Sequence, residues 1–196
     1  MLELFGQLRL NIANYIDHLN LKIPGAKLLR DPNKFEFLWV VDFPLFTLNT
    51  ETGKYESTHH PFTAPKSEYA DSLFNKSVNL SDVKGQHYDL VLNGCEIAGG
   101  SIRIHNSSLQ RFILKEILNE DTTLLEHLLD ALHCGAPPHG GIAIGLDRLM
   151  SILCKTSSIR DVIAFPKSGS GRDLMSDAPS NVSKEDLDFY KIQLKD

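Results

Sequence analysis

At 196 residues, 42% hydrophobic and 23% charged, the chain carries enough apolar material for one substantial core, and its length points to a single soluble domain. A net charge of -5 and an isoelectric point near 5.9 offer no basic stripe of the kind that docks nucleic acid, and no run approaches the roughly 18 apolar residues of a membrane span. Cys95, Cys134 and Cys154 are too scattered for a disulfide framework or a cysteine zinc site.

Leu4, Phe5, Leu8, Ile12, Tyr15, Ile16 and Leu19 recur at helical spacing, which predicts a packed first helix over residues 1–20 and not a cleavable signal. Glu3 and Asp17 are foreign to an Arg-rich transit peptide, so any targeting signal is expected upstream or not at all. Pro24, Gly25 and Pro32 make residues 23–34 a loop delivering a β-rich run, FEFLWVVDF at residues 35–43, which Pro44 stops. Residues 46–57 alternate around Thr52-Gly53, as a hairpin or a solvent-facing excursion. Two prolines keep THHPFTAP, residues 58–65, out of a helix. Ser67 is placed to cap a short helix through Leu73, and residues 75–85 read as a polar surface connection.

Residues 87–92 and 95–104 flank Asn93-Gly94, the best short-range signal of a two-residue hairpin turn. Ser107 with Gln110 resembles a capping box, opening a helix with Leu109, Phe112, Ile113 and Ile117 on one face. A second helix carries Leu124, Leu125, Leu128, Leu129 and Leu132 and ends at Gly135. GAPPHGGIAIGLDRLM, residues 135–150, compresses a Gly/Pro loop, a buried strand at residues 142–144 and a helix over residues 146–155. A short strand over residues 159–165, a mobile Gly169-Ser170-Gly171 loop and a last helix over residues 183–190 complete the chain. The pattern is α+β, an antiparallel sheet with helices packed against it.

Four charged residues stand out. Arg148, early in its helix, offers a planar fork of donors matched to a phosphate, or else pairs with a carboxylate beside a tight turn; GLDR alone fits both. A two-residue hairpin loop would set Leu92 opposite Cys95, Val91 opposite Glu96 and Asp89 opposite Ala98. Asp89 and Glu96 then share a face, either as two solvated acids or as ligands of a hard cation such as magnesium. Simple alternation sends Arg103 to the other face. The paired Gly99 and Gly100 predict a bulge between Glu96 and Arg103 that re-aims the arginine, which is otherwise a surface cation. His59 and His60 can hydrogen-bond a small substrate, and without a third ligand they are weak evidence for zinc. Gly140 and Gly141 permit close approach of backbone to a ligand, and His139 fits a loop-fixing role. Trp39 and Phe43 read as core.

Together, WVVDFP (residues 39–44), HHPFTAP (59–65), YDLVLNGCEIAGGSIRIH (88–105), GAPPHGGIAIGLDR (135–148) and IRDVIAFPK (159–167) resemble the bacterial-type aspartyl-tRNA synthetases of class II, in that family's order, and most closely their mitochondrial branch. The resemblance implies the class II catalytic fold, ATP and magnesium (Mg2+) as cofactors, and L-aspartate and aspartate tRNA as substrates. It further implies a homodimer, no membrane association and a place in the mitochondrial matrix. Arg148 would contact the ATP γ-phosphate, with Gly145 beside it in the ATP site; Asp89 and Glu96 would hold ATP-bound magnesium. Arg103 would grip the substrate's side-chain carboxylate and so reject asparagine. His59, His60, Gly99, Gly100 and Ser101 would line the aminoacyl pocket. Ala98 stands where the family usually has a third glycine, a methyl expected to restrict backbone or ligand approach slightly.

The same resemblance implies that residues 1–196 are the C-terminal portion of the catalytic domain. Residues 1–20 would re-enter from an inserted domain and residues 168–196 form a tail; the anticodon-binding domain and motifs 1 and 2 would lie outside this chain, leaving it inactive alone. Two rival readings stand beside this one. The first is a non-catalytic remnant or paralogue that binds a nucleotide or a synthetase partner, and the second an aspartate-activating, amide-forming enzyme on the same fold. Retention of Asp89, Glu96, Arg103 and Arg148 together favours the synthetase over the remnant, and the bacterial-type blocks favour it over the amide-forming enzyme.

Overall fold

In a computed structural model describing residues 2–20, 22–31 and 33–194, the sheet is organised by the turn at Asn93-Gly94. Both residues adopt positive φ, 51° and 82°, as two-residue hairpin turns require, and join β4 (His87–Leu92) to β5 (Cys95–Ile102). The Asn93 side chain then reaches back. It accepts from the Glu36 amide at 2.9 Å and donates to the Lys34 carbonyl at 2.8 Å, docking the entry to β1 (Phe37–Val40). β1 pairs antiparallel with β4, and β6 (Gly140–Ile144) antiparallel with β5, giving the order β1-β4-β5-β6. A second hairpin, β2 (Phe46–Leu48) and β3 (Tyr55–Ser57), forms around Thr52-Gly53 as expected.

The chain divides into two compact units at Gly145/Leu146, where length alone pointed to one domain. The core of the first unit gathers Leu45, Phe46, Leu73, Val83, Ile104, Leu109 and Ile113. Val83 falls in the stretch expected to be a surface connection, yet it is fully buried. The reason is local pairing: the Leu45 amide donates to the Val83 carbonyl at 2.8 Å and the Gly85 amide to Phe43 at 2.9 Å, so residues 83–85 are drawn against residues 43–45.

Helix termini depart from expectation in instructive ways. Ser67 does not cap; it begins a 3-10 turn, Ser67–Tyr69, that runs into α2 (Ala70–Phe74). Asn106, and not Ser107, caps α3 (Ser107–Phe112), its side chain accepting from the Leu109 amide at 3.0 Å. Gln110 is buried and donates to the Pro61 carbonyl at 2.8 Å, tying the histidine loop to this helix. A π-type turn, Ile113–Ile117, extends α3, and Leu109, Phe112, Ile113 and Ile117 share the core side as predicted. Of the five leucines expected in the next helix, Leu129 is fully buried, whereas Leu124 sits exposed in a 3-10 turn before α4 (Glu126–His133). A two-pronged Arg111–Glu126 pair, both contacts 2.8 Å, staples α3 to α4 and holds the Glu126 carboxyl down at about 2.

The first helix forms as α1 (Leu2–Asn20), but its apolar stripe is not packed: Leu4, Phe5, Leu8, Ile12, Tyr15, Ile16 and Leu19 are all exposed. Polar contacts hold it instead. The Asp17 carboxylate accepts from the Leu29 and Arg30 amides at 2.6 and 2.8 Å, and Arg30 donates to Asn14. Pro32, read as part of the following loop, lies outside the described residues. The strand expected over residues 35–43 shortens to β1 because Asp42, at φ 67°, turns the chain out of the sheet. Trp39 is 56% exposed on this edge strand and not core, edge-on to Tyr88 at 5.8 Å. Likewise Ile142 and Ile144, expected to be buried, are exposed because β6 is the other edge.

The second unit opens with α5 (Leu146–Leu153). Residues 159–165 are not a strand; Ser158 caps a 3-10 turn, Ile159–Asp161, by accepting from the Arg160 amide. The glycine loop is a hydrogen-bonded turn between Ser168 and Arg172, flanked by a 2.9 Å Lys167–Asp173 ion pair. The last helix forms where expected as α6 (Lys184–Tyr190), and Ser183 caps it by accepting from the Asp186 amide. Among the described residues no helix is long and apolar enough to cross a membrane.

Candidate active site

The polar face of the β4–β5 hairpin assembles most of the singled-out residues, and a bulge arranges them. Pairing runs Leu92 to Cys95 and Val91 to Glu96, then skips Ile97, so that Leu90 meets Ala98 and Asp89 meets Gly99. Asp89 therefore faces Gly99, not Ala98 as an unbroken ladder would have it. The irregularity lies between Glu96 and Arg103, as expected, but at Ile97 and not at the glycines. Its free carbonyl is satisfied by the Gly145 amide, 2.8 Å away at the end of β6, which commits the N–H of Gly145 to the bulge.

The shifted register brings Asp89 and Glu96 together. A β-carbon at position 99 would lie 2.9 Å from Asp89 Oδ1 and 3.7 Å from Glu96 Oε1, so the two carboxylates converge on the space a side chain would take. Among the described residues no group of three or more His, Cys, Asp or Glu could hold a metal. Two carboxylates converging in this way suit instead a hard cation that takes its other oxygens from substrate phosphates and water, which is how magnesium is usually held. Ala98 points the other way, paired with Leu90 and Ile144 on the opposite face, so its extra methyl spares this space.

Beyond the bulge, Gly99, Ser101 and Arg103 alternate onto the face that carries Glu96. Arg103 is held by its backbone amide, which donates to the His139 carbonyl at 2.9 Å, and by a bridge to Thr63. Its guanidinium rests on the His60 ring, 3.1 Å from Nδ1 and in contact with Nε2. His60 is further placed by the Phe62 amide, donating to Nδ1 at 3.2 Å, and by the Ser101 hydroxyl 3.3 Å from Nε2. Burial first, then the charges of Arg103 and His59, pushes His60 down to about 4. The ring is thus neutral near pH 7 and accepts from Arg103 without competing with it for an anion. His59 lies 4.4 Å from His60, and both border a cleft of about 500 Å³ that Tyr55, Leu118 and Asn119 also line. A cleft of about 580 Å³ on α3 and α4 includes none of the candidate residues.

The glycines of β5 and β6 differ in what surrounds them. Gly100 is required by the sheet itself: its β-carbon would strike the Gly141 carbonyl oxygen and lie 2.9 Å from Ile142 Cα. Gly140 is likewise crowded by Ser101 and Ile102 of β5, while a β-carbon at Gly141 would meet nothing within 4 Å. His139 fixes its loop as read, its ring bonded to the Pro137 carbonyl at 2.8 Å. Arg148 occupies the first turn of α5, in the second unit, its carbonyl accepting from Ser151 at 2.8 Å. His87 escaped the sequence reading. It is buried on β4 two residues before Asp89, on the same face by alternation, and that spacing was the available signal.

Residues 7–169 match the model of the class II tRNA synthetases (D, K and N). The mouse mitochondrial aspartate–tRNA ligase is 56% identical over 193 residues, covering 98% of this chain and 28% of that protein. The aspartate–tRNA(Asp/Asn) ligase of Opitutus terrae is 45% identical over 197 residues, covering 97% of this chain and 31% of that protein. Among solved structures, the aspartyl-tRNA synthetase of Entamoeba histolytica shares the fold, with a TM-score of 0.51 and 22% identity over 68% of this chain and 23% of its own. The chain thus spans roughly three tenths of the length of the curated relatives it matches.

Proposed function

This chain belongs to the class II tRNA synthetases (D, K and N), and from that premise we propose that it supplies the aspartate- and metal-binding part of an aspartate–tRNA ligase working in mitochondrial translation. The observation that carries the reading is the convergence of Asp89 and Glu96 over Gly99, with Arg103 farther along the same face. An acidic pair and a fork-shaped cation on one surface suit a substrate set that includes a metal-bound triphosphate and a second carboxylate.

In the reaction so assigned, a carboxylate oxygen of L-aspartate bonds to the α-phosphorus of ATP. The bond to the bridging oxygen breaks, and its electron pair leaves on pyrophosphate. The acyl group of the aspartyl-adenylate then passes to a hydroxyl at the 3′ end of aspartate tRNA, releasing AMP. Arg103 receives the side-chain carboxylate through paired N–H donors, an interaction that a neutral carboxamide cannot match. Neutral His60 buttresses the guanidinium, and His59, Gly99 and Ser101 bound the pocket. Asp89 and Glu96 would hold magnesium, which would supply neutralisation of phosphate charge. The family resemblance assigns Arg148 to the γ-phosphate and Gly145 to ATP binding. No protein nucleophile is needed, because positioning and charge stabilisation suffice for in-line transfer. The remaining parts of this reading are the homodimer, mitochondrial matrix location and absence of membrane association expected from the family.

Aspartate-dependent ATP–pyrophosphate exchange tests the reading, run on this chain and on the chain joined to its upstream coding sequence. Exchange with aspartate in the joined form supports it. A well-folded joined form that exchanges with no amino acid removes the enzyme reading, and one that prefers asparagine removes the role given to Arg103.

A further inference from the structure

Phe43, His87 and His59 stack as a column of three rings, and the middle one has no part in the chemistry above. His87 lies 4.7 Å from Phe43 at an interplanar angle of 17° and 5.5 Å from His59 at 13°. It is 6% exposed, and neither ring nitrogen has a hydrogen-bond partner, so packing alone holds it.

Each ring comes from a different segment, and the backbone laces those segments together. The Gly85 amide donates to the Phe43 carbonyl at 2.9 Å, the Leu45 amide to Val83 at 2.8 Å, and the Thr58 amide back to Leu45 at 3.1 Å. Gly85 also makes room for the column, since a β-carbon there would sit 2.8 Å from His87 Cε1. From His59 the contacts continue to His60 and thence to Arg103. A chain of packed rings therefore links Phe43, beside the core residue Leu45, to the cation assigned to the substrate carboxylate.

We propose that His87 is a positioning residue of the aspartate pocket, a platform clamped by Phe43 that fixes His59 and, through it, the His60–Arg103 pair. The proposal rests on the functional reading above for its link to aspartate. Stacked aromatic pairs contribute enough that losing one shifts an equilibrium roughly fivefold. In the chain joined to its upstream coding sequence, His87→Ala is expected to raise the KM for aspartate about fivefold in pyrophosphate exchange. The KM for ATP should stay within about twofold, and His87→Phe, which keeps the stack and drops the unused nitrogens, should restore aspartate KM to near wild type.

An unchanged aspartate KM in His87→Ala, equal shifts for both substrates, or a His87→Phe variant as impaired as His87→Ala would each overturn the proposal. Should the wild-type form show no aspartate-dependent exchange, the functional reading itself fails. The stack is then read from the His59 ring-proton resonances of the folded protein. Resonances that move in His87→Ala and stay put in His87→Phe support positioning of His59, and resonances unmoved in His87→Ala overturn it.

Discussion

Replacing Gly100 by alanine tests the sheet that carries the site. Freed from tertiary constraint, a Gly-to-Ala change in a strand stabilises a protein by about 0.5–1 kcal/mol, because the unfolded chain loses freedom. Here the added carbon would strike the Gly141 carbonyl oxygen and approach the Gly141 carbonyl carbon and Ile142 Cα to 2.9 Å each. All three are backbone atoms of β6, so no side chain can swing aside and the β5–β6 ladder must part locally. Overpacking of this kind costs about 3 kcal/mol or more, a sizeable share of the roughly 5–15 kcal/mol that holds a typical domain. For a chain of this size that is a drop of about 6–12 °C in Tm. Gly141→Ala is the matched control, since its β-carbon would meet nothing within 4 Å, and it should melt within about 2 °C of wild type. Circular-dichroism melts of both variants decide the matter. A Gly100→Ala protein as stable as wild type, or a Gly141→Ala protein equally damaged, would refute the close approach of the two strands.

Three other outcomes follow from the same geometry. Gly99→Ala points its methyl at Asp89 Oδ1 and Glu96 Oε1, which can rotate away, so stability should hold within about 1 kcal/mol while magnesium-dependent ATP binding, measured by calorimetry, weakens about tenfold. Arg103→Lys keeps the charge but not the paired donors, and the KM for aspartate should rise about 10- to 150-fold, a range set by the roughly 1.5–3 kcal/mol of a charged hydrogen bond. His60, at about 4 in the folded state against 6.5 unfolded, binds fewer protons when folded. Its contribution to stability is therefore complete above about pH 6.5 and is lost as pH falls toward 4; denaturant midpoints should decline over that window, and less so in His60→Gln.

What the sequence made legible was local. Asn93-Gly94 announced its hairpin because the turn's φ angles depend on those two residues. The bulge was foreseeable from the glycines but not its position, since the Ile97 carbonyl finds its donor at Gly145, far along the chain. Helical spacing in α1 identified an amphipathic helix yet could not say what covers its stripe, and its leucines are exposed. For β6 the apolar run was read as buried, but strand order places it at an edge, and order is a tertiary fact. In the candidate site, Asp89, Glu96, Arg103 and His60 were each named, because charged residues near glycines are conspicuous. His87 was passed over because its role depends on stacking partners from two distant segments. At Gly140 the closely approaching backbone belongs to β5, a neighbour that only the strand order reveals.

The central claim is that the polar face of β4 and β5 activates aspartate at the expense of metal-bound ATP, and trapping the adenylate tests it most directly. Mass spectrometry of the chain joined to its upstream coding sequence, incubated with ATP, magnesium and either amino acid, should detect aspartyl-adenylate and no asparaginyl-adenylate. Asp89→Asn combined with Glu96→Gln should abolish the product while the protein stays folded. Equal adenylate from asparagine, or undiminished product from the double variant, would contradict the account.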